Sequence, residues 1–285
     1  NYTIQKLPPE IGNLQQLHTF KMNGGSLKHL PDEFCNLKNL EILELSYQSL
    51  LTLPKNIGKP HNLKRVSLYW NTYLKRIPKS FTELQNLVYL SLDYCENLDL
   101  SQALPIIGKL HKIKYLALKS YKIPKEIHFL KNIEHLSIQK VCREEFVDIS
   151  PYLQYLSHLK SLSFSDCGLK EIPNWLSKLK NLESLLLGEN PIQNLPANIG
   201  DLKNLKYLYL SKTNIKKLPQ SLSKLHHLEE IELDFIPNLN IQSVFKVIGH
   251  LPKIKKLYLS ASTKFPPKIG EMPYLEDLII DSDYK

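Results

Sequence analysis

A single apolar pattern recurs along almost the whole chain and constrains its fold more than any other feature. Its clearest copy runs from Leu179 to Leu202 and reads Leu-Lys-Asn-Leu-Glu-Ser-Leu-Leu-Leu-Gly-Glu-Asn-Pro-Ile-Gln-Asn-Leu-Pro-Ala-Asn-Ile-Gly-Asp-Leu, and the next copy begins at its last leucine. A fixed period of this length is typical of a solenoid, in which each repeat stacks only on its neighbours. The pattern therefore predicts a repeat architecture.

The repeats keep one register along the chain. The residue that opens each repeat recurs at spacings between 20 and 26 residues. Within a repeat, apolar and polar residues alternate, as in Leu43-Glu44-Leu45, which predicts a short strand whose side chains face alternately inward and outward. The opening positions are Leu14, Leu37, Pro60, Leu84, Leu110, Leu130, Leu156, Leu179, Leu202, Leu225, Leu251 and Met272.

One repeat is too small to fold alone. Burying about seven apolar side chains stabilises a repeat by roughly 2 kcal/mol each, whereas ordering its backbone costs roughly 1–2 kcal/mol per residue. Stacking on neighbouring repeats has to supply the missing stabilisation. No Ser/Gly-rich linker interrupts the register. We therefore expect a single domain over residues 1–285 with about 12 repeats. Both ends fall within a repeat, so we also expect either a piece of a longer protein, with further domains left open, or a mature form that has lost an N-terminal segment.

Two kinds of segment return the chain from one strand to the next. Nine repeats carry a proline after an apolar residue, and its fixed φ and missing N–H suit an extended turn. Three longer repeats have helix-like apolar spacing, at residues 98–110, 144–156 and 239–251. In the first of these we expect Pro105 to lie in the first turn of the helix. The nine prolines are Pro8, Pro31, Pro54, Pro78, Pro124, Pro173, Pro196, Pro219 and Pro266.

With these motifs the chain resembles leucine-rich repeat proteins over essentially all of its length. The Leu-Pro-x-x-Ile-Gly variety is similar to repeats of bacterial proteins and of Ras-pathway scaffolds. Cys95 and Cys167 stand where other repeats have Asn71 and Asn190, which is similar to plant immune receptors. The resemblance implies an α/β solenoid, a horseshoe with a concave parallel β-sheet and convex turns, 3-10 segments and a few short helices. It also implies binding of another macromolecule.

Composition and spacing argue against several other functions. No run of eighteen apolar residues exists, so no membrane span is expected. The net charge is +9, but the lysines recur at rim and turn positions and the sheet lacks a basic stripe with interleaved aromatic residues, so no nucleic acid partner is expected. No metal ligands converge in the register, and no nucleophile elbow or phosphate loop is present. We therefore expect no enzyme activity, no catalytic residue, no metal and no cofactor.

The cysteines and the recurring asparagines are interpreted as structural. Cys95 and Cys167 lie repeats apart, beyond bridging distance. Cys35 falls on a return segment and Cys142 begins an irregular loop, so four free thiols are expected. The asparagine of Leu-x-Asn-Leu, for example Asn39, is expected to satisfy backbone donors as the chain turns into the strand.

The candidate binding site consists of the strand positions that the repeat does not specify. Aromatic residues gather on four adjacent strands of the first half, over roughly 15–20 Å of the sheet. Tyrosine and tryptophan dominate interface hot spots, although a ladder of aromatic pairs that only stiffens the sheet is an open alternative. The second half is mixed and then acidic. The predicted partner-binding residues are Tyr47, Tyr69, Trp70, Tyr89, Tyr94, Tyr115, Tyr207, Tyr209, Glu230, Glu232, Asp234 and Tyr258.

The acidic residues of the second half are expected to attract basic groups. They lie on or beside the last strands, at Glu229, Glu230, Glu232, Asp234, Glu276 and Asp281. Four lysines are expected to pair with some of these acids and to weaken the local potential, namely Lys206, Lys212, Lys255 and Lys256. The partner is therefore expected to present basic residues to this end and an aromatic-compatible surface to the other.

The sequence thus predicts a non-enzymatic module that recognises a protein or peptide on its concave face. One alternative is a carbohydrate-binding surface protein, because tyrosine and tryptophan also stack on sugars. Another is a sensor or spacer arm of a larger multidomain receptor or GTPase. The lysine-, asparagine- and isoleucine-rich usage favours a bacterial source. The location is left open between the cell surface or secretion and the cytoplasm.

Overall fold

The computed structural model describes residues 4–120, 123–139, 151–260 and 267–281. The chain divides into two compact units, residues 1–137 and 138–285. The first unit contains β1 (Thr19–Asn23), β2 (Ile42–Ser46), β3 (Arg65–Ser67), β4 (Tyr89–Ser91) and β5 (Tyr115–Lys119), and β6 (His135–Gln139) lies at the boundary. The second contains β7 (Ser161–Ser163), β8 (Ser184–Leu186), β9 (Tyr207–Tyr209), β10 (Glu230–Leu233), β11 (Lys256–Ser260) and β12 (Asp277–Asp281).

Consecutive strands pair in parallel, from β1 to β5 in the first unit and from β7 to β12 in the second. The pairing aligns equivalent residues of successive repeats: Leu185 lies opposite Leu208, which lies opposite Ile231. All three are buried, as are Leu187 and Leu210 one position further along the core. The predicted solenoid and its inward register are therefore confirmed. The opposite face of the strands, here called the sheet face, points away from the leucine core.

Most of the described return segments are short 3-10 turns that follow the predicted prolines. Pro31 is extended (φ −65°, ψ 152°), and the segment Asp32–Asn36 begins at the next residue. This start follows from the fixed φ of proline. The 3-10 segments are Pro9–Asn13, Asp32–Asn36, Lys79–Glu83, Lys125–Phe129, Asn174–Lys178, Ile199–Asp201, Gln220–Lys224 and Pro267–Glu271.

The glycine of the Ile-Gly motif lets these return segments approach closely. A Cβ atom at Gly58 would lie 2.0 Å from the carbonyl oxygen of Ser80, and one at Gly200 would lie 2.1 Å from that of Ser221. In both cases the obstacle belongs to the backbone of the next repeat. The motif is therefore a packing requirement between repeats.

Helices replace the 3-10 turn in two described repeats. Helix α1 spans Leu100–Ile107 and helix α2 spans Ile241–Ile248. The position predicted for Pro105 is wrong: Asp99 caps the helix so that it begins at Leu100, which places Pro105 in the second turn. The helix predicted at residues 144–156 lies mostly outside the described residues. The helices within the described ranges all fall short of the length and apolar character that a bilayer crossing requires.

Buried asparagines connect successive repeats inside the solenoid. The side-chain oxygen of Asn190 accepts hydrogen bonds from the backbone N–H groups of Cys167 (2.9 Å) and Leu169 (3.0 Å). Its amide nitrogen donates to the carbonyl oxygen of Phe164 at 2.6 Å. These bonds satisfy backbone groups that the turn after each strand removes from the sheet. Asn71 has the same role in the first unit.

The three cysteines that the structure describes, Cys35, Cys95 and Cys167, are free and buried. Burial raises the pKa of Cys35 to about 11 and that of Cys95 to about 12. Cys142 lies outside the described residues. The prediction of free thiols is therefore confirmed for three positions and stays a prediction for the fourth.

The asparagines of Leu-x-Asn-Leu bind backbone acceptors, so the predicted pairing with donors is wrong. The amide of Asn39 donates to the carbonyl oxygen of Gln15, and that of Asn62 to the carbonyl oxygen of Lys38, both at 2.9 Å. Each acceptor belongs to the preceding repeat. The prediction considered only the local turn, whereas stacking brings the neighbouring carbonyl within reach.

Candidate binding surfaces on the sheet face

Four aromatic side chains form a continuous group on the sheet face of the first unit, and we call Tyr47, Tyr69, Trp70 and Tyr94 the ring cluster. The rings of Tyr47 and Trp70 are stacked with centroids 5.6 Å apart and an interplanar angle of 24°. Trp70 and Tyr94 are 4.1 Å apart at 34°. Tyr69 meets Tyr47 and Tyr94 edge-on, at 5.2 and 5.5 Å. The cluster thus crosses three neighbouring repeats.

Three members of the ring cluster have a left-handed backbone: φ is 55° at Tyr47, 58° at Trp70 and 59° at Tyr94. They follow the ends of β2, β3 and β4, whereas the sequence pattern assigned them to strands. Simple alternation would turn these side chains into the core, and the left-handed turn instead brings them to the sheet face. Tyr47 is 46% exposed and Trp70 is 40% exposed. The equivalent residue of the first repeat is Gly24, with φ 77°.

Backbone hydrogen bonds hold these turns in place. The N–H of Tyr47 donates to the carbonyl oxygen of Tyr69 at 2.9 Å, and the N–H of Trp70 donates to that of Asp93 at 2.8 Å. Each bond reaches into the next repeat. The left-handed conformation is therefore built into the stacking of the solenoid.

A second group lies at the strand starts, and we call Arg65, Tyr89, Tyr115 and His135 the aromatic row. The Arg65 guanidinium lies 3.6 Å from the centroid of the Tyr89 ring. Tyr89 and Tyr115 are 6.4 Å apart, and the Tyr115 and His135 rings are parallel within 5° at 4.1 Å. The six aromatic residues predicted in the first half thus divide between two groups, four in the ring cluster and two in the aromatic row.

The cations on this part of the sheet face contact either a carboxylate or a ring. Glu44 binds Lys21 at 3.1 Å and Arg65 at 2.9 Å. Burial alone would raise the pKa of Glu44, but the hydrogen bonds from these two cations lower it below its usual value. The Lys119 ammonium lies 4.4 Å from the centroid of Tyr94. Tyr69 has its pKa raised to about 12, by its hydrogen bond with Tyr47 and by burial.

The sheet face of the second unit brings tyrosines and acids together on three adjacent strands. Tyr207 of β9 pairs in register with Glu230 of β10. Tyr209 lies opposite Glu232, which lies opposite Tyr258 of β11. Asp234 follows directly after β10, and we call Glu230, Glu232 and Asp234 the acidic strip. The structure therefore places the six residues predicted in the second half side by side.

The lysines beside the acidic strip bind other acids. Lys206 pairs with Glu183, Lys212 with Glu189 and Lys256 with Asp277, at 2.8 to 3.0 Å. Of the four lysines expected to pair with the clustered acids, Lys255 alone does so, with Glu276 at 3.4 Å. Within the described residues, no member of the acidic strip forms an ion pair. Its charge is therefore less compensated than the sequence indicated.

Crowding of negative charge changes the titration of this surface. Partial burial and the charges of Glu232 and Asp281 raise the pKa of Asp234 to about 6. Burial and the charge of Glu230 raise the pKa of Tyr209 above its usual value. One carboxylate oxygen of Asp234, Oδ1, is buried without a hydrogen-bond partner among the described atoms. The strip is thus a surface on which a positively charged group would relieve repulsion.

The described residues show no arrangement suited to metal chemistry. In residues 4–120, 123–139, 151–260 and 267–281, no group of three or more His, Cys, Asp or Glu side chains could hold a metal ion. The surfaces instead offer rings, carboxylates and ring-bound cations, which suit binding by contact and charge.

Sequence reasoning missed His135 and Arg65 as members of the aromatic row, and it missed the left-handed turn. A signal for the turn exists, because Gly24 precedes Tyr47 by one repeat and occupies the same position. Glycine is the residue most often found at positive φ. The aromatic row has no such signal, since its contacts join residues twenty or more positions apart.

Comparisons with known proteins agree with this architecture. A family model described as a leucine-rich repeat region matches residues 1–91 and 197–284, and a second, described as a leucine rich repeat, matches residues 158–179. An LRR protein of Leptospira interrogans is similar in structure, with a TM-score of 0.77 and 28% identity, over 99% of this chain and 70% of that one. No curated protein sequence matches significantly.

Two proteins of Listeria monocytogenes share the fold at lower identity. An internalin has a TM-score of 0.60 and 17% identity, over 96% of this chain and 82% of its own. The functional domain of InlJ has a TM-score of 0.62 and 16% identity, over 94% of this chain and 54% of its own. At these identities the likeness extends to the fold alone.

Proposed function

The chain belongs to the leucine-rich repeat family, and we propose that it is a non-enzymatic recognition module whose sheet face binds a protein or peptide. The ring cluster is the observation that carries this proposal. Proteins of this fold commonly act as interaction modules, which supports the general class. The surface used and the chemistry of the partner are argued from the residues of this chain.

The residue types of the ring cluster support a role in binding. A left-handed conformation costs roughly 1–2 kcal/mol for a residue with a Cβ atom. Glycine would remove that cost, as at Gly24, yet Tyr47, Trp70 and Tyr94 retain large side chains there. The same conformation occurs in the second unit, at Asp166, Glu189, Lys212 and Phe235, so the repeat imposes it and does not require an aromatic ring. We infer that the rings are kept for contacts that the solenoid itself does not need.

A ladder that only stiffens the sheet is the competing interpretation. The ring contacts across strands would serve such a ladder. However, Tyr47 and Trp70 remain 46% and 40% exposed, which a ladder that only stiffens the sheet does not require. This exposure favours a surface that a partner covers.

The geometry of the rings favours a protein partner over a carbohydrate. Sugars stack on a free aromatic face, whereas the Trp70 ring packs against the rings of both Tyr47 and Tyr94, with centroids 5.6 and 4.1 Å apart. The Lys119 ammonium lies over the Tyr94 ring, 4.4 Å from its centroid. Ring edges carry partial positive charge that suits carbonyl oxygens, and the apolar ring surface suits apolar side chains of a protein partner.

The acidic strip suggests the charge of the partner that the second unit binds. Glu230, Glu232 and Asp234 lack ion-pair partners within the described residues, so lysine or arginine side chains would complement them. Charge complementarity of this kind mainly accelerates association. We therefore infer a partner with a basic segment for this surface. A sensor or spacer arm of a larger receptor would be compatible with the same surfaces.

The proposal can be tested without knowing the natural partner. Peptides are selected from a displayed random library on the wild-type chain, and their affinities are then measured for variants by calorimetry. The double substitution Trp70→Ala and Tyr94→Ala should reduce affinity by about thirtyfold, which corresponds to about 2 kcal/mol, the range of a hot spot. Tyr73→Ala is the matched control, because Tyr73 is 55% exposed but lies outside the ring cluster.

Trp70→Gly separates binding from stiffening. This change removes the ring and relieves the left-handed strain, so affinity should fall while the melting temperature changes little. Unchanged affinity with a large loss of stability would support the stiffening ladder. A carbohydrate ligand captured on a glycan array, with no peptide selected, would support the carbohydrate alternative.

A further inference from the structure

A groove of about 1030 Å³ lies among the return segments of the first unit, away from the sheet face. The 3-10 segment Lys79–Glu83 borders it on one side and helix α1 on the other. An α-helix is wider than a 3-10 turn, so the change of return segment at this repeat leaves space between neighbours. The groove therefore arises from the irregularity that the longer repeat introduces.

The lining of the groove combines an apolar floor with a basic rim. Ile77 and Pro78 contribute apolar surface from one side, and Pro105 and Ile106 contribute it from helix α1. Four cations stand on the rim, all with exposed side chains, and Glu83 is the acid among the lining residues. The cations are Lys55, Arg76, Lys79 and Lys109.

These four cations differ from those of the sheet face because they are not neutralised. Within the part of the chain that the structure describes, none of them forms an ion pair, whereas Lys21 and Arg65 both bind Glu44. Four positive charges around one groove repel one another, and an anionic ligand would remove that repulsion.

The backbone beneath the cations is held by hydrogen bonds. The Ser80 hydroxyl donates to the carbonyl oxygen of Lys55 at 2.6 Å. The Thr82 hydroxyl donates to that of Lys79 at 2.9 Å. The Gln85 amide donates to that of Lys109 at 3.2 Å. The backbone that carries three of the basic side chains is therefore held in place, so binding has to order mainly the side chains.

We propose that this groove binds an acidic peptide segment of a partner protein, with apolar side chains on its floor and carboxylates at its rim. The volume matches that of sites for short peptides and small ligands. Nucleic acid fits less well, since its interfaces bury roughly 1,000–2,500 Å² of protein and single strands stack on aromatic side chains, which the lining lacks. The proposal does not depend on the function of the sheet face.

A labelled peptide of sequence Glu-Leu-Glu-Leu-Glu provides the probe, and its binding is followed by fluorescence anisotropy at low salt. The triple variant Lys55→Glu, Arg76→Glu and Lys109→Glu should weaken binding at least tenfold. A control triple changes the net charge equally at exposed lysines outside the groove, at Lys203→Glu, Lys224→Glu and Lys246→Glu, and should weaken binding less than threefold. Melting temperatures verify that both triples fold.

Two further arms test the apolar floor and the class of ligand. Ile106→Ser should weaken binding of the leucine-containing probe. A second probe with serine in place of leucine should bind the wild type and the Ile106→Ser variant with equal affinity. Neutral variants, Arg76→Gln and Lys109→Gln, repeat the charge test if the triple variant unfolds. Equal weakening by the two triples, no binding of the probe, or tighter binding of a single-stranded oligonucleotide at the same residues would each overturn the proposal.

Discussion

Replacing Gly58 by alanine tests the idea that the Ile-Gly motif exists to let successive return segments touch. The new Cβ atom would lie 2.0 Å from the carbonyl oxygen of Ser80 and 2.9 Å from the Cβ atom of Glu83. A carbon–oxygen contact normally needs about 3.3–3.6 Å, so the two segments have to separate by roughly 1.3 Å or more. Neither obstacle is the flexible end of a side chain. Two repeats have to move apart instead.

The expected cost follows from that displacement. Overpacking a core by one methyl group typically costs about 1–3 kcal/mol, and the upper half of this range applies when backbone has to move. The Gly58 N–H also contacts the Ser80 hydroxyl at 3.4 Å, and this contact would lengthen further. We expect Gly58→Ala to lower the free energy of unfolding by about 2–3 kcal/mol in urea titrations followed by circular dichroism.

Two matched substitutions separate packing from backbone strain. Gly270 occupies the same motif position but has nothing within 4 Å of an added Cβ, so Gly270→Ala should be neutral or stabilise by up to about 1 kcal/mol. Gly24 has equal space but φ 77°, so Gly24→Ala should cost about 1 kcal/mol through conformation alone. If Gly58→Ala unfolds at the same urea concentration as Gly270→Ala, the packing argument is wrong.

Three further predictions concern the register, the thiols and the acidic strip. Leu187→Asp should lower the free energy of unfolding by about 4 kcal/mol or more because it buries an unpaired charge. The control Leu186→Asp, on the sheet face, should stay within about 1 kcal/mol of wild type. Equal melting temperatures of the two variants would refute the register. The pKa values of Cys35 and Cys95 are raised to about 11 and about 12, so both thiols should resist alkylation at pH 8 in the native state and react after denaturation. Mass spectrometry measures the alkylation, and rapid labelling of the native protein would contradict their burial. The pKa of Asp234 is raised to about 6 from 3.8, so the folded state holds this proton more tightly and loses stability as pH rises from about 4 to 6. Asp234→Asn should therefore raise the melting temperature at pH 7.5 and lose this advantage below pH 4, and an equal gain at both pH values would point to another cause.

The sheet and its core could be predicted because their positions repeat. Leu185, Leu208 and Ile231 occupy one register position in three successive repeats, and each copy supports the interpretation of the others. The prolines that precede the 3-10 turns act locally through a fixed φ, so they too could be read from the chain.

The binding surfaces could be predicted only as sets of residues. The sequence placed Tyr47 and Trp70 on the same face but could not show that a left-handed backbone turns them there, because φ depends on hydrogen bonds to the next repeat. It also could not show which lysine neutralises which acid. Lys256 was expected to compensate the clustered acids and instead binds Asp277.

By itself, the sequence determined the repeat length, the inward leucines, the proline turns and the aromatic and acidic content of the sheet face. The tertiary structure alone decided how those side chains group into a ring cluster, an aromatic row and an acidic strip, and where α1 opens a basic groove beside Lys79–Glu83. The physical reason is the range of the interactions. Periodicity and proline act within one repeat, whereas ring stacking, ion pairing and the Gly58–Ser80 approach join residues about one repeat apart, whose alignment exists only after the repeats have stacked.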